Sequence, residues 1–162
     1  MKNRPTIFLD LDGVLVVEEQ HFSNFRHEDW GCSRFDEKCV KVFNEICDRT
    51  NPIIILSSDW QHHYNIEVLN NIFKWNNVNC EITDVTGTAY GDKFTNLSQL
   101  EECRAYDIVQ YAKKHKIKNY VAIDDLDLKH WLDGRFVHTP RAFEGIKQSG
   151  VKNKVYKILN IE

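Results

Sequence analysis

The 162-residue chain lacks any run of 18 apolar residues, so it offers no candidate membrane-spanning helix. Met1-Lys2-Asn3-Arg4-Pro5 runs directly into a short apolar segment with no signal-peptide core, so no secretory leader is expected. These absences lead us to expect a cytoplasmic protein with no membrane partner. Cysteine is sparse and odd in number. The five residues Cys32, Cys39, Cys47, Cys80 and Cys103 contain no Cys-x-x-Cys pair, which indicates neither a disulfide framework nor a zinc site. Free thiols suit a reducing compartment. Positive charge is not in excess: 21 Lys and Arg against 24 Asp and Glu give a net charge of −3, without the basic footprint of a nucleic-acid binder. The local lysine clusters at 113–118 and 147–157 read as solvated helix faces. Repeats, low-complexity tracts and linker-like composition are absent too. A single domain spanning 1–162 follows, large enough to bury a core unaided. Nothing in it marks an obligate protein partner.

What is present is an alternation of apolar runs and helical periodicities. Residues 6–11 read as a first strand, bounded by Pro5 and the Asp12-Gly13 turn. Residues 14–35 read as an excursion above the strand end, a small hairpin or flap. Asp36 or Ser33 is positioned to cap a helix in which Val40, Phe43, Ile46 and Cys47 recur at helical spacing, and Asn51-Pro52 stops it. Ile53-Ile54-Ile55-Leu56 is the continuous apolar run of a strand buried on both faces. A helix is expected over 62–75 and a strand over 80–86. A polar loop then covers 87–100, and a helix covers 102–115 with Tyr106, Ile108, Val109 and Ala112 inward. Strands at 119–123 and 135–139 and a closing helix from about Val151 complete the chain. This order predicts an α/β fold: a doubly wound, mainly parallel sheet of about five strands with helices on both faces.

The chemistry gathers where these strands end. Asp10 closes the first apolar run, with Asp12 two residues on and Gly13 after it. If the strand continues through residue 12, the two carboxylates share one side, roughly 6–7 Å apart. If it stops at Asp10, both sit in the turn. Either way, carboxylates so close repel unless a cation or proton joins them. Alone, the stretch reads equally well as a strand followed by a solvated Asp-Gly turn. The second strand, however, ends in Ser57-Ser58-Asp59, and the fourth in Asp124-Asp125-Leu126-Asp127. A parallel sheet brings all three ends to one edge. Four or five carboxylates there call for a hard divalent cation with oxygen ligands, Mg²⁺ foremost.

Asp-Leu-Asp-Gly-Val behind an apolar strand resembles motif I of the haloacid dehalogenase-like (HAD) hydrolase superfamily. Ile-Leu-Ser57-Ser58 resembles its motif II and Val-Ala-Ile-Asp124-Asp125 its motif IV. The order is right and the motifs span the sheet core. Leu-Ser-Ser-x-Trp and Phe-Val-x-Thr are also similar to the HAD subgroup of RNA-repair-type proteins. The resemblance implies a Rossmann-like HAD domain and a phosphomonoesterase working through an aspartyl-phosphate. Asp10 would be the nucleophile, its carboxylate ionised at an ordinary pKa of about 4. Asp12 would be the general acid and base, its pKa raised by a neighbouring carboxylate. The ligands of Mg²⁺ would be the Asp10 carboxylate, the Asp12 backbone carbonyl and a motif IV carboxylate, Asp124 first and Asp125 second, with Asp127 outside them. Ser57, with Ser58 beside it, and the turn amides around Gly13 would bind phosphate oxygens. Motif III is a lone basic residue at the start of the helix before the motif IV strand; Arg104 fits that place and would contact phosphate, with Lys93 as its rival.

The remaining signals divide. Gly87-x-x-x-Gly91-Asp92-Lys93 lacks the spacing of a phosphate-binding loop, and Phe94 stands where Ser or Thr is required. His62 and His63 read as surface residues, and Trp60 as either a stacking platform or a packed aromatic. Phe22, Phe25 and Trp30 either line a substrate mouth or close it by packing. The intervals between motifs leave no room for a large cap domain, and capless relatives of this pattern act on large substrates. The open site leans towards a large substrate and the mildly acidic charge away from nucleic acid, so the expectation spans a phosphorylated small molecule, a nucleotide or a nucleic-acid end. Two alternatives stand beside this: a phospho-receiver-like signalling module and a non-catalytic HAD-like binding domain.

Overall fold

The computed structural model describes residues 4–21, 26–88, 96–140 and 143–161. Among these residues five strands form one sheet: β1 (Thr6–Leu9), β2 (Ile53–Leu56), β3 (Ile82–Val85), β4 (Tyr120–Asp124) and β5 (Phe136–His138). Their order is β3-β2-β1-β4-β5, and every neighbouring pair is parallel. Among the described residues six α-helices accompany them: α1 (Glu18–His21), α2 (Glu37–Thr50), α3 (Ile66–Trp75), α4 (Leu97–Lys114), α5 (Lys129–Leu132) and α6 (Val151–Ile158).

The apolar runs become strands because the sheet is covered on both faces. Alternate residues separate into two cores. Ile7, Leu9, Ile54, Leu56, Val121 and Ile123 pack with residues of α2, α3 and α6. Phe8, Ile55 and Ala122 pack on the other face with Ala105, Ile108 and Ala112 of α4 and Leu132 of α5. Ile7, Phe8 and Leu9 are all fully buried, each worth about 1.5–3 kcal/mol of apolar transfer. The chain steps outward from β1 to β3 and then returns to lay β4 against the other side of β1. That reversal opens a crevice at the carboxyl ends of β1 and β4.

Local signals set the helix starts. Asp36 caps α2 by accepting from the Cys39 amide at 2.8 Å, and Asn51 ends it in the left-handed region. Two expected boundaries move. The 62–75 helix begins only at Ile66, because Asn65 caps the Val68 amide at 2.9 Å, and Asp59–His62 instead forms a separate 3₁₀ turn. The fourth helix begins at Leu97, five residues before its expected start, because Asn96 caps the Gln99 amide at 3.0 Å. Within α4 the buried residues are Arg104, Ala105, Asp107, Ile108 and Ala112; Tyr106, expected inward, is among the exposed residues. Helix α5 was not expected; it is four residues long and has no side-chain cap.

In the excursion after β1, Val14–Val17 are buried, and an isolated antiparallel bridge joins Arg26 to Ser33. Trp30 stacks on His27 with ring centroids 3.8 Å apart, and its carbonyl accepts from the Tyr64 hydroxyl at 2.8 Å. This is packing that ties the excursion to the segment before α3. Phe22, Phe25, Gly91, Asp92, Lys93 and Phe94 lie outside the described residues. Among the described residues, no helix is long and apolar enough to cross a membrane.

Candidate active site

Strand β1 stops at Leu9, so Asp10 and Asp12 both lie in the turn beyond it. The Leu11 carbonyl organises that turn, accepting from the amides of Val14, Leu15 and Val16 at 3.2, 2.9 and 2.9 Å. Asp10 is held at its base, its amide donating to the Ile123 carbonyl of β4 at 3.0 Å. The side chains of Asp10, Asp124 and Asp125 converge, each offering a carboxylate oxygen within 4.8 Å of the others. Asp10 and Asp124 are buried and Asp125 is half-buried.

Arg104 enters this cluster from α4 and is itself only 8% exposed. Its guanidinium donates to the Ser57 carbonyl at 2.7 Å and to Asp124 Oδ2 at 2.9 Å, and it stands 3.4 Å from Asp10 Oδ1. The second amino group donates to Asp59 Oδ1 at 2.9 Å. One cation thus joins the ends of β1, β2 and β4. Arg104 and the carboxylates therefore share a site, whereas its rival Lys93 falls outside the described residues.

Electrostatics follow from this burial. Desolvation pushes the Asp10 carboxyl well above the usual range. The charge of Asp124 adds to this, Arg104 opposes it, Asp125 adds further, and a hydrogen bond from Ser58 pulls it back. Burial likewise raises Asp124 to about 6, against the pull of Arg104 and of the Leu126 amide. Asp125 is raised chiefly by burial. Burial alone would lower Arg104, but the charges of Asp10, Asp124 and Asp59 outweigh it and keep the guanidinium protonated. Asp10 is therefore not the ordinary carboxylate expected from its sequence. In the protein alone its ionised form is disfavoured, and added positive charge is what restores it.

The residues fit a divalent cation on their own chemistry. Three hard oxygen donors face one another, two of them buried, and one arginine does not balance their charge. Beside them the Ser57 hydroxyl is 1% exposed and has no hydrogen-bond partner among the described residues. A buried polar atom of this kind calls for a ligand. The Asp12 carboxylate is not part of the cluster; its Oδ2 accepts from the Trp60 indole Nε1 at 2.9 Å. Trp60 is a packed aromatic, edge-on to Phe35, that also lines the cleft beside Asp12.

Gly13 differs from its expectation. Its amide already donates to the Val16 carbonyl at 2.8 Å, so it is not positioned to bind phosphate. Its contribution is steric. The backbone sits at φ +70°, and a Cβ here would lie 2.6 Å from the Cβ and Cγ of Asp125. The missing side chain lets Asp125 close over the turn. Ser58 contacts Asp10 and also caps the 3₁₀ turn at Asp59, so it steadies the nucleophile candidate. His62 and His63 are exposed, as expected.

Two supports at the carboxyl end of β5 carry no expected role. The buried Thr139 hydroxyl donates to the Gly13 carbonyl at 3.0 Å, and His138 Nε2 lies 2.8 Å from the Asp125 carbonyl. The Phe-Val-x-Thr stretch was their only trace in the sequence. A shallow cleft of about 260 Å³ adjoins the site, lined in part by Asp12, Arg26, Ser33, Asp59, His63 and Tyr64.

Comparison with curated proteins and with solved structures gives no match. A family model described as the HAD domain in Swiss Army Knife RNA repair proteins matches residues 6–149, a span running from β1 through β5 and including Asp10, Asp12, Ser57, Arg104, Asp124 and Asp125. With that match over most of its length, and with motifs I, II and IV meeting at one sheet edge, this chain belongs to the HAD domain family of Swiss Army Knife RNA repair proteins and carries a HAD-type hydrolase fold.

Proposed function

We propose that the domain is a Mg²⁺-dependent phosphomonoesterase acting through an aspartyl-phosphate on Asp10, with a nucleotide or nucleic-acid end as substrate. The observation that carries this reading is the buried Asp10 carboxylate at the β1–β4 crevice, clustered with Asp124 and Asp125 and contacted by one arginine. The carboxylates of Asp10, Asp124 and Asp125 and the Asp12 backbone carbonyl would hold Mg²⁺, which when bound offsets repulsion between nucleophile and phosphate and stabilises transferring charge.

The chain's own groups do the rest. An Asp10 oxygen attacks phosphorus, and the bond from phosphorus to the leaving oxygen breaks. Asp12 gives its proton to that leaving oxygen. Water then attacks the acyl phosphate, Asp12 takes the water's proton, and the bond to Asp10 breaks to release inorganic phosphate. The Trp60 N–H donates to Asp12 Oδ2 and holds this carboxyl in place. The Ser57 hydroxyl donates to a phosphate oxygen. Arg104 aligns Asp10 with Asp124 and offsets their charge. The cleft beside Asp12 receives the leaving group, where Arg26 and His63 favour an anionic, hydrogen-bonding one. At about 260 Å³ it suits a single sugar–base unit and leaves any longer strand in solvent.

The test is a phosphate-release screen with Mg²⁺ over nucleotides, sugar phosphates, phosphopeptides and 3′- and 5′-phosphorylated oligonucleotides. Turnover is expected on the nucleotides or oligonucleotides. Stable uptake of one phosphoryl group without turnover would identify a receiver module instead. Inactivity across the whole panel would leave a non-catalytic binding domain.

A further inference from the structure

Two thiols meet at the edge of the sheet opposite the carboxylates. Cys47 lies near the end of α2, which feeds the start of β2, and Cys80 lies two residues before β3. They are 33 positions apart in sequence, yet their Sγ atoms are in contact at 2.8 Å. Both are free cysteines.

The contact is built on both sides. Asn44 of α2 donates through Nδ2 to the Asn77 carbonyl at 2.8 Å and accepts at Oδ1 from the Asn79 amide at 2.9 Å. The Asn79 side chain reaches Asp48 at 3.4 Å. Beyond Cys80, Asn70 of α3 accepts from the Ile82 amide at 2.7 Å and donates to the Ile82 carbonyl at 3.0 Å. The segment carrying Cys80 is thus pinned to α2 before the cysteine and to α3 after it. Exposure is unequal: Cys47 belongs to the core, whereas Cys80 is half-buried and open to a small solute.

We propose that Cys47 and Cys80 form a reversible oxidation site whose co-reactant is a small peroxide. Hydrogen peroxide oxidises the Cys80 thiol to a sulfenic acid and releases one water. Cys47 Sγ then attacks Cys80 Sγ. The S–S bond forms, the S–OH bond breaks, and the Cys47 proton leaves with the hydroxyl as a second water. A dithiol reductant reverses the step. Closing this loop constrains the unfolded chain, while the phosphate-handling edge lies at the other end of the strands and is untouched. The proposal stands independently of the hydrolase reading.

The test treats the whole protein with hydrogen peroxide, blocks the remaining thiols by alkylation and maps the peptides without reduction. The expected result is a Cys47–Cys80 cross-link and two fewer of the five thiols available. Tm should rise by roughly 10 °C and return on adding dithiothreitol. Cys80→Ser, at a half-buried position, should abolish the shift. Cys103→Ser, on the opposite face of the sheet, should keep it. Cys80 found as sulfinic acid with Cys47 still alkylatable would overturn the proposal. So would a cross-link that leaves Tm unchanged, or a response that survives in Cys80→Ser.

Discussion

Arg104→Met removes the guanidinium that ties three strand ends together while keeping much of the stem's volume. In the native protein it lies 2.9 Å from Asp124 and 3.4 Å from Asp10, and both carboxylates are buried. At an effective dielectric of about 20, each pair represents about 5 kcal/mol of attraction before desolvation is subtracted. The Asp59 contact adds little, because that side chain is 62% exposed. Removing one member of a buried charge cluster costs about 3–5 kcal/mol, since the others are left uncompensated. The pH dependence discriminates this cause from simple loss of packing. Asp10, Asp124 and Asp125 already have raised pKa values, and loss of Arg104 raises them further. An acid raised in the folded state binds its proton more tightly there, so stability is intact below the unfolded value of about 4 and is lost as pH rises through the folded value. The deficit of Arg104→Met should therefore be small near pH 4 and reach its full size near pH 8. Mg²⁺ should narrow it at the higher pH by supplying positive charge. Urea denaturation at both pH values, with and without Mg²⁺, measures all of this. A deficit below about 1 kcal/mol, or one that is equal at both pH values and indifferent to Mg²⁺, would refute the reasoning.

Further predictions follow the same logic. In the native protein without metal, Asp124 alone should withdraw about 3 kcal/mol as pH rises from about 4 to about 7, because it titrates near 6 when folded; the raised Asp10 and Asp125 add to the loss, and thermal melts with added Mg²⁺ should recover much of it. Gly13→Ala meets Asp125 at a positive φ, so it should cost about 1–3 kcal/mol in stability and weaken Mg²⁺ binding at least tenfold by calorimetry. Trp60→Phe keeps an aromatic ring but loses the indole N–H that bonds Asp12 and part of the buried volume; stability should fall by about 1–3 kcal/mol, while kcat drops.

Much of the fold was legible because both faces of the sheet are covered. Ile53–Leu56 and Val121–Ile123 could only be continuous apolar runs. The acids at strand ends were legible for a related reason, since a parallel sheet brings its carboxyl ends to one edge. What escaped depends on tertiary contact or weak local signal. Helix α5 is one turn without a capping side chain, and α4 opens on an exposed Leu97 that breaks its apolar periodicity. A lone arginine in a helix carries no local mark of its four partners, so only its place one helix before β4 set Arg104 ahead of Lys93 in the sequence. That the Gly13 amide is engaged by Val16 while its missing Cβ admits Asp125 emerges only in three dimensions. The same holds for the Trp60–Asp12 bond, and for the Cys47–Cys80 contact between thiols whose spacing suggested no pairing.

The central claim is that Asp10 accepts the phosphoryl group, and trapping tests it most directly. An aryl phosphate has a good leaving group that needs little protonation, so an Asp12→Asn variant should still load Asp10 while breaking down the acyl phosphate slowly. Acid quenching after incubation with Mg²⁺, followed by peptide mass mapping, should find one phosphoryl group on Asp10, and Asp10→Asn should show neither label nor phosphate release while retaining its fold by circular dichroism. Turnover that persists in Asp10→Asn, or a phosphoryl group carried on another residue, would contradict the account.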